Sequence, residues 1–342
     1  MRGTVNSALT TWLHSVRVRL VAVAVFLGSV LALATPASGV NRPSSLLLFN
    51  APYEVETAFG VVRPNGKSRH VLSHDYTAQS WSSNGRRILA YGGPTSLAIL
   101  DDRGRLVRAL PVGGRFLNEA DWSPDGKWVA GLSESCPHPE ICADLRILRT
   151  DGSEERTLVV GTVLPPSVDL VFDWSPGSKS IAFNGSASPA QGGTPGYQGI
   201  VIVSLTGRTL TPEALRNASD PSWAPNGKRL AFSRDGQIYT AGADGSGLKQ
   251  LTRGAIRSFS PSWSPDGGRI AYVHGSRVEV LDLGRHRLTR PYRATRGFVW
   301  SPDGTRLAFG GDYRGMTYIF VARADGRGKR RPIAEGVIAD WR

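Results

Sequence analysis

The sequence predicts an all-β fold: a ring of seven four-stranded antiparallel blades, built from one repeated unit. Three observations predict it. Glycine (40) and proline (22) are too abundant across 342 residues for a helical protein. Tryptophans recur at 81, 122, 174, 223, 263, 300 and 341, separated by 41, 52, 49, 40, 37 and 41 residues. Units of this length with four strands are what propeller blades use.

The first element of each unit is a phrase that begins at the tryptophan. It reads WSSNGRRILAY, WSPDGKWVAGL, WSPGSKSIAFN, WAPNGKRLAFS, WSPDGGRIAYV and WSPDGTRLAFG in the first six copies. In S-P-D-G, proline pre-sets φ for a tight turn, aspartate bonds nearby amides, and glycine takes the conformation that leaves the turn. The apolar, β-branched and aromatic run that follows reads as a buried strand. The flat indole is predicted to pack between neighbouring sheets rather than to bind a ligand. Only Trp12 and Trp128 stand outside the series.

A hairpin completes each unit. Its turns are expected at Asp102-Arg103-Gly104, Asp151-Gly152, Thr206-Gly207, Asp244-Gly245, Leu283-Gly284 and Asp325-Gly326, with a further one upstream at Asn65-Gly66. Seven hairpins but six complete tryptophan phrases leave the strands of 44–73 without an innermost partner. The seventh phrase begins as VIADWR, so residues 337–342 are predicted to join the N-terminal blade and close the ring. Two intervals are long. One carries SESCPHPEICADL, the other NGSASPAQGGTPGYQG, a glycine- and proline-rich insertion suited to recognition.

The phrase W-S-P-D-G-K/R-x-I/L-A-F/Y resembles the repeat of the TolB-like, WD-like β-propeller superfamily over residues 44–342. Ser83-Asn84 in the first copy and Gly177-Ser178 in the third depart from it. The resemblance implies a propeller, but it spans members with different activities. TolB-type members are periplasmic binders of a lipoprotein and carry a separate N-terminal α/β domain, for which almost no chain remains here. Others are fused to prolyl-oligopeptidase-type hydrolases, yet no G-x-S-x-G elbow occurs in this sequence. Polysaccharide lyases of this kind place metal-binding histidines over the propeller axis.

Residues 1–39 read as a signal peptide or an N-terminal membrane anchor, and 40–342 as the propeller. Arg17 and Arg19 precede the uncharged run LVAVAVFLGSVLALA and the small residues TPASG. At 15 residues that run is short for a spanning helix, which favours a cleaved signal. Either version exports the remainder to periplasm, envelope or extracellular space. Cys136 and Cys142 then suit a disulfide that staples their loop better than a metal site with His138 and Glu140, since zinc usually takes four closely specified ligands and no second cysteine pair exists.

The net charge is +13, and Arg2, Arg17 and Arg19 are the only charged residues before residue 40. Such a balance favours an acidic protein face or an anionic envelope polymer. Export argues against nucleic acid, and the basic stretches 284–297 and 323–332 read as solvated outer edges that block sheet-to-sheet aggregation. His70 and His74 read as exposed edge residues, with His138 and His274 in loops.

Glu119 and Asp220 sit three positions before a repeat tryptophan; Asp121, Asp173 and Asp340 sit immediately before one. These five are candidate channel acids if the tryptophan strands line the axis. The competing reading has them bonding local backbone amides. The expectation is a monomeric, non-catalytic scaffold without cofactor or metal, holding an unidentified protein or envelope component. The alternative is a secreted polysaccharide hydrolase or lyase with an axial active site.

Overall fold

The computed structural model describes residues 45–51, 58–92, 96–111, 116–134, 142–163, 171–186, 198–294, 297–327 and 330–342. The N-terminal segment and Cys136 lie outside them, as does the Cys142 side chain, so the signal and disulfide expectations concern chain beyond the described part. No helix among the described residues is long and apolar enough to cross a membrane.

Strands β1 (Leu47–Asn50), β2 (Phe59–Val62) and β3 (His70–Ser73) belong to blade 1. Blade 2 holds β4 (Thr77–Trp81), β5 (Arg87–Tyr91), β6 (Ser96–Asp101) and β7 (Leu106–Pro111). Blade 3 holds β8 (Phe116–Trp122), β9 (Trp128–Glu134), β10 (Cys142–Arg149) and β11 (Glu155–Val163). In blade 4 are β12 (Phe172–Trp174), β13 (Ser180–Ser186), β14 (Gln198–Ser204) and β15 (Thr209–Leu210). Blade 5 has β16 (Ala218–Trp223), β17 (Arg229–Arg234), β18 (Gln237–Gly242) and β19 (Lys249–Gln250). Blade 6 has β20 (Ser258–Trp263), β21 (Arg269–His274), β22 (Arg277–Asp282) and β23 (Arg287–Arg293). Blade 7 has β24 (Phe298–Trp300), β25 (Arg306–Tyr313), β26 (Met316–Arg323) and β27 (Arg331–Glu335). The last strand, β28 (Val337–Trp341), pairs antiparallel with β1 as the innermost strand of blade 1. The seven-bladed ring is therefore closed as the repeat count requires.

The closing register sets Leu47 against Trp341 and Leu48 against Asp340. Leu46 and Arg342 exchange backbone hydrogen bonds of 3.1 and 3.0 Å just beyond it. The Trp341 indole N–H donates to Ser45 Oγ, and the Arg342 guanidinium lies 4.0 Å over the Trp81 ring. Gly336 makes the sharp passage from β27 into β28. Its φ is +132°, and a Cβ there would stand 2.4 Å from the Asn50 carbonyl oxygen. Gly336→Ala is expected to cost about 2 kcal/mol or more, read as a lowered thermal midpoint; an unchanged midpoint would show that the junction yields.

Each repeat tryptophan is at most 8% exposed and packs backward onto the preceding blade. Trp81 lies with Phe59 and Val61 of blade 1, Trp174 with Leu145 and Val159 of blade 3, and Trp341 with Ile319 and Val321 of blade 7. An indole buries on the order of 200 Å² of largely apolar surface, so it is the dominant side chain of each seam.

The turn after the tryptophan is held by its serine. Ser123 Oγ donates to Asp125 Oδ1 at 2.6 Å and accepts from Trp128 N at 2.9 Å, while Gly126 N donates to Ser123 O at 2.8 Å. Ser301 and Ser264 repeat the arrangement. The two departures keep the turn. Asn84 Oδ1 replaces the aspartate as acceptor for Ser82 Oγ, at 2.9 Å. Ser178 occupies the glycine position with φ +55°, and its hydroxyl accepts from Asp125 N of the neighbouring turn at 3.0 Å. That cross-blade bond offsets a backbone conformation unfavourable to a side chain.

Candidate functional site

Each inner strand runs from one end of the ring, here the loop end, toward the turn end where the tryptophan phrases sit. Inner strands of neighbouring blades form no ladder with one another, so backbone N–H groups along the axis need other acceptors. In several blades the residue immediately before the tryptophan supplies one. Asp340 Oδ2 accepts from Trp81 N at 2.8 Å, and Asp173 Oδ2 from Trp223 N at 2.6 Å. Ser222 Oγ accepts from Trp263 N at 3.4 Å. Ser80 Oγ donates to Asp121 Oδ1 at 2.7 Å, and the same oxygen accepts from Trp122 N at 2.8 Å. The side chains of Ser80, Asp173, Ser222 and Asp340 thus reach forward to the next blade, while the indoles pack on the blade behind.

Three of the five predicted acids are brought together in this belt: Asp340 on blade 1, Asp121 on blade 3 and Asp173 on blade 4. Asp340 and Asp173 are 1% and 6% exposed. Burial pushes the Asp121 carboxyl up to about 7, against the opposing bonds from Ser80 and Trp122. Burial does the same to Asp340, up to about 7, with the Asp121 charge adding to it. Asp173 is raised well above the ordinary carboxylate value by burial, again reinforced by Asp121. Asp121 is the group through which the three sense one another.

The other two acids are placed differently. Asp220 sits at a register break between Ser219 and Ser222, with φ +52°, and its carboxylate accepts from Ser219 Oγ and Ser260 N at 3.2 and 3.4 Å. It serves the bulge in β16. Glu119 lies on β8, and its side chain is outside the described residues. Reading acids alone missed Ser80, Ser222 and Ser262, although all three share the position before the tryptophan. Trp300 Nε1 donates to the Ser262 carbonyl at 3.2 Å.

His70 is exposed on the outer strand β3, and His74 is exposed beyond it. His274, expected in a loop, instead ends β21, where Nδ1 lies 2.9 Å from the buried Ser258 Oγ. The β21–β22 connection is Gly275-Ser276 alone, so the strand runs through His274, which pairs with Arg277. Among the described residues no group of three or more histidine, cysteine, aspartate or glutamate side chains is arranged to hold a metal. In the basic stretches, β23 and β27 are the outer strands of their blades, with Arg293, Arg330 and Arg331 exposed.

No protein-family model and no curated relative matches the chain. Solved structures share its fold. An oligogalacturonate lyase in complex with manganese matches with a TM-score of 0.64 at 12% identity, over 81% of this chain and 85% of that one. The oligogalacturonate lyase of Vibrio parahaemolyticus matches at 0.58 and 11% identity, over 85% and 84%. TolB from Acinetobacter baumannii matches at 0.52 and 16% identity, over 86% and 82%. Identities this low show the fold and leave function to the site.

Proposed function

We propose that this propeller is an exported, non-catalytic scaffold that holds a protein or another cell-envelope component at its loop end. One observation carries the reading: the loop end of blades 6 and 7 presents apolar side chains to solvent. Ile256, Phe259, Tyr313 and Met316 are 56%, 42%, 38% and 45% exposed, and Arg257, Arg277 and Arg314 are exposed among them. Apolar groups ringed by arginine are the usual composition of an interface core and rim. The flanks of the three long connections, Glu134 and Cys142, Val163 and Val171, Ser186 and Gln198, lie at the same end. The belt carboxylates, by contrast, are occupied with backbone amides and a serine hydroxyl.

The test is capture from the native cell envelope with the wild-type chain and with a Phe259→Asp, Met316→Asp double variant. The expected result is one component retained by the wild type and lost at least about tenfold by the variant at an unchanged thermal midpoint. Equal capture by both would defeat the assignment.

The second reading, an axial polysaccharide hydrolase or lyase, is favoured by carboxyls raised to near neutrality, the poise that proton transfer needs. It requires chain cleavage of an acidic polysaccharide that Asp121→Asn abolishes. Such a loss would replace the scaffold reading.

A further inference from the structure

The seam between blades 2 and 3 opens at the turn end into a cavity of about 370 Å³, on the opposite side of the ring from the exposed apolar residues. Its wall includes the Trp122 indole and Ile99, and Asn84, Arg87, Arg108 and Thr150 stand around it. Blade 6 shows how the same seam position can be covered. In blade 6, Arg269 occupies the position equivalent to Arg87. It is tethered to Asp266 of its own turn at 3.1 Å and lies 5.5 Å over the Trp300 ring of the next blade. The arginine thereby covers the seam. In blade 2 the tethering aspartate is replaced by Asn84, whose Oδ1 accepts from Ser82 Oγ and from Arg86 N. Arg87 has no carboxylate in its turn and does not lie over Trp122.

The charges at the cavity are also unbalanced. Among the described residues, the guanidiniums of Arg87 and Arg108 have no hydrogen-bond acceptor and no ion-pair partner. Arg108 runs along the tight turn at Gly152. The two acids on the rim are already occupied by their own turns. Asp125 Oδ1 accepts from Ser123 Oγ at 2.6 Å and Lys127 N at 3.1 Å. Asp151 Oδ1 accepts from Ser153 N at 2.9 Å and Ser153 Oγ at 2.5 Å, with Arg149 3.5 Å from its other oxygen. Two untethered arginines line a recess that Trp122, Ile99, Asn84 and Thr150 also line. Guanidinium forks match the planar or tetrahedral oxygens of carboxylates and phosphates.

We propose that this recess binds a small organic anion through a carboxylate or phosphate group held between Arg87 and Arg108, its carbon frame resting on Trp122. The site is independent of the partner surface at the loop end.

The probes are citrate and inorganic phosphate, titrated calorimetrically into the full chain at low ionic strength. At least one is expected to bind with Kd below about 1 mM. Asn84→Asp supplies the acid that the turns at 125, 266 and 303 carry, so the turn stays sound, and it places a carboxylate where Asp266 holds Arg269 in blade 6. It is expected to weaken binding about tenfold, as are Arg87→Ala and Arg108→Ala, at thermal midpoints close to wild type. Binding of citrate alone identifies the carboxylate as the recognised group, and binding of phosphate alone identifies the phosphate. If neither anion binds by about 10 mM, or if all three variants bind as wild type does, the proposal is wrong.

Discussion

Deletion of residues 337–342 is expected to lower the thermal midpoint by about 10 °C or more. The deletion removes the innermost strand of blade 1, so β1 loses its ladder from Leu47 to Asn50. It also removes Trp341 and Ile338 from the seam with blade 7, and Asp340 from the Trp81 amide. Truncating a buried tryptophan alone costs about 3–5 kcal/mol. A chain of this size shifts by roughly 2–4 °C per kcal/mol. Trp341→Ala separates the contributions: it should reproduce about half of the loss, since the ladder and the Asp340 bond remain. A midpoint within a degree or two of wild type after the deletion would mean that blade 1 is stable with three strands.

The second large effect concerns pH. The folded chain holds the Asp121 proton up to about pH 7, whereas the unfolded chain releases it near 3.8. Between those values the native state binds more protons than the unfolded state, so stability falls as pH rises through that window. Full ionisation costs the fold about 4 kcal/mol if Asp121 acts alone, and less where water reaches it. Asp121→Asn removes the titration. The asparagine carbonyl can still accept from Ser80 Oγ and Trp122 N, because both bonds fall on one oxygen of the wild-type carboxylate. Urea unfolding at pH 8 is expected to find the variant more stable by about 1–4 kcal/mol, with the two chains converging near pH 4. Groups whose carboxyls are lowered, such as Asp101 and Asp266, lose stability on the acid side in both chains and cancel in the comparison. Parallel pH profiles would show that Asp121 is no more desolvated folded than unfolded. Because the Asp121 charge also raises Asp173 and Asp340, the variant should shift their titration downward as well.

The ring was legible because its signals are local and repeated. The turn chemistry of Ser123, Asp125 and Gly126 recurs in register with the tryptophans, so a missing copy could be counted. The belt was legible only in part. Asp121, Asp173 and Asp340 announce themselves by residue type, but their cross-blade partners, the Ser80 hydroxyl and the Trp223 and Trp81 amides, lie 41 to 259 residues away in sequence. No spacing rule carries that information. Ser80 and Ser222 play the same part with side chains too common to attract notice. The seam cavity was illegible for a different reason. In sequence Asn84 is only a departure from the turn pattern, and within the turn it bonds as the aspartate does; that Arg87 and Arg108 have no acid partner among the described residues is visible only in space.

The ring closure has a consequence in time as well as in space. Trp341 meets Ser45 across 296 residues of sequence. The strands of blade 1 are made early, yet their sheet cannot be completed until β28 has been synthesised. Contacts of such long range are slow to form, since loop closure precedes any gain from pairing. During that interval β1 presents an unpaired edge, the feature that invites aggregation or a passing holdase. The first blade to emerge is therefore the last to finish folding, and protease resistance of residues 45–73 should appear only with the final strand.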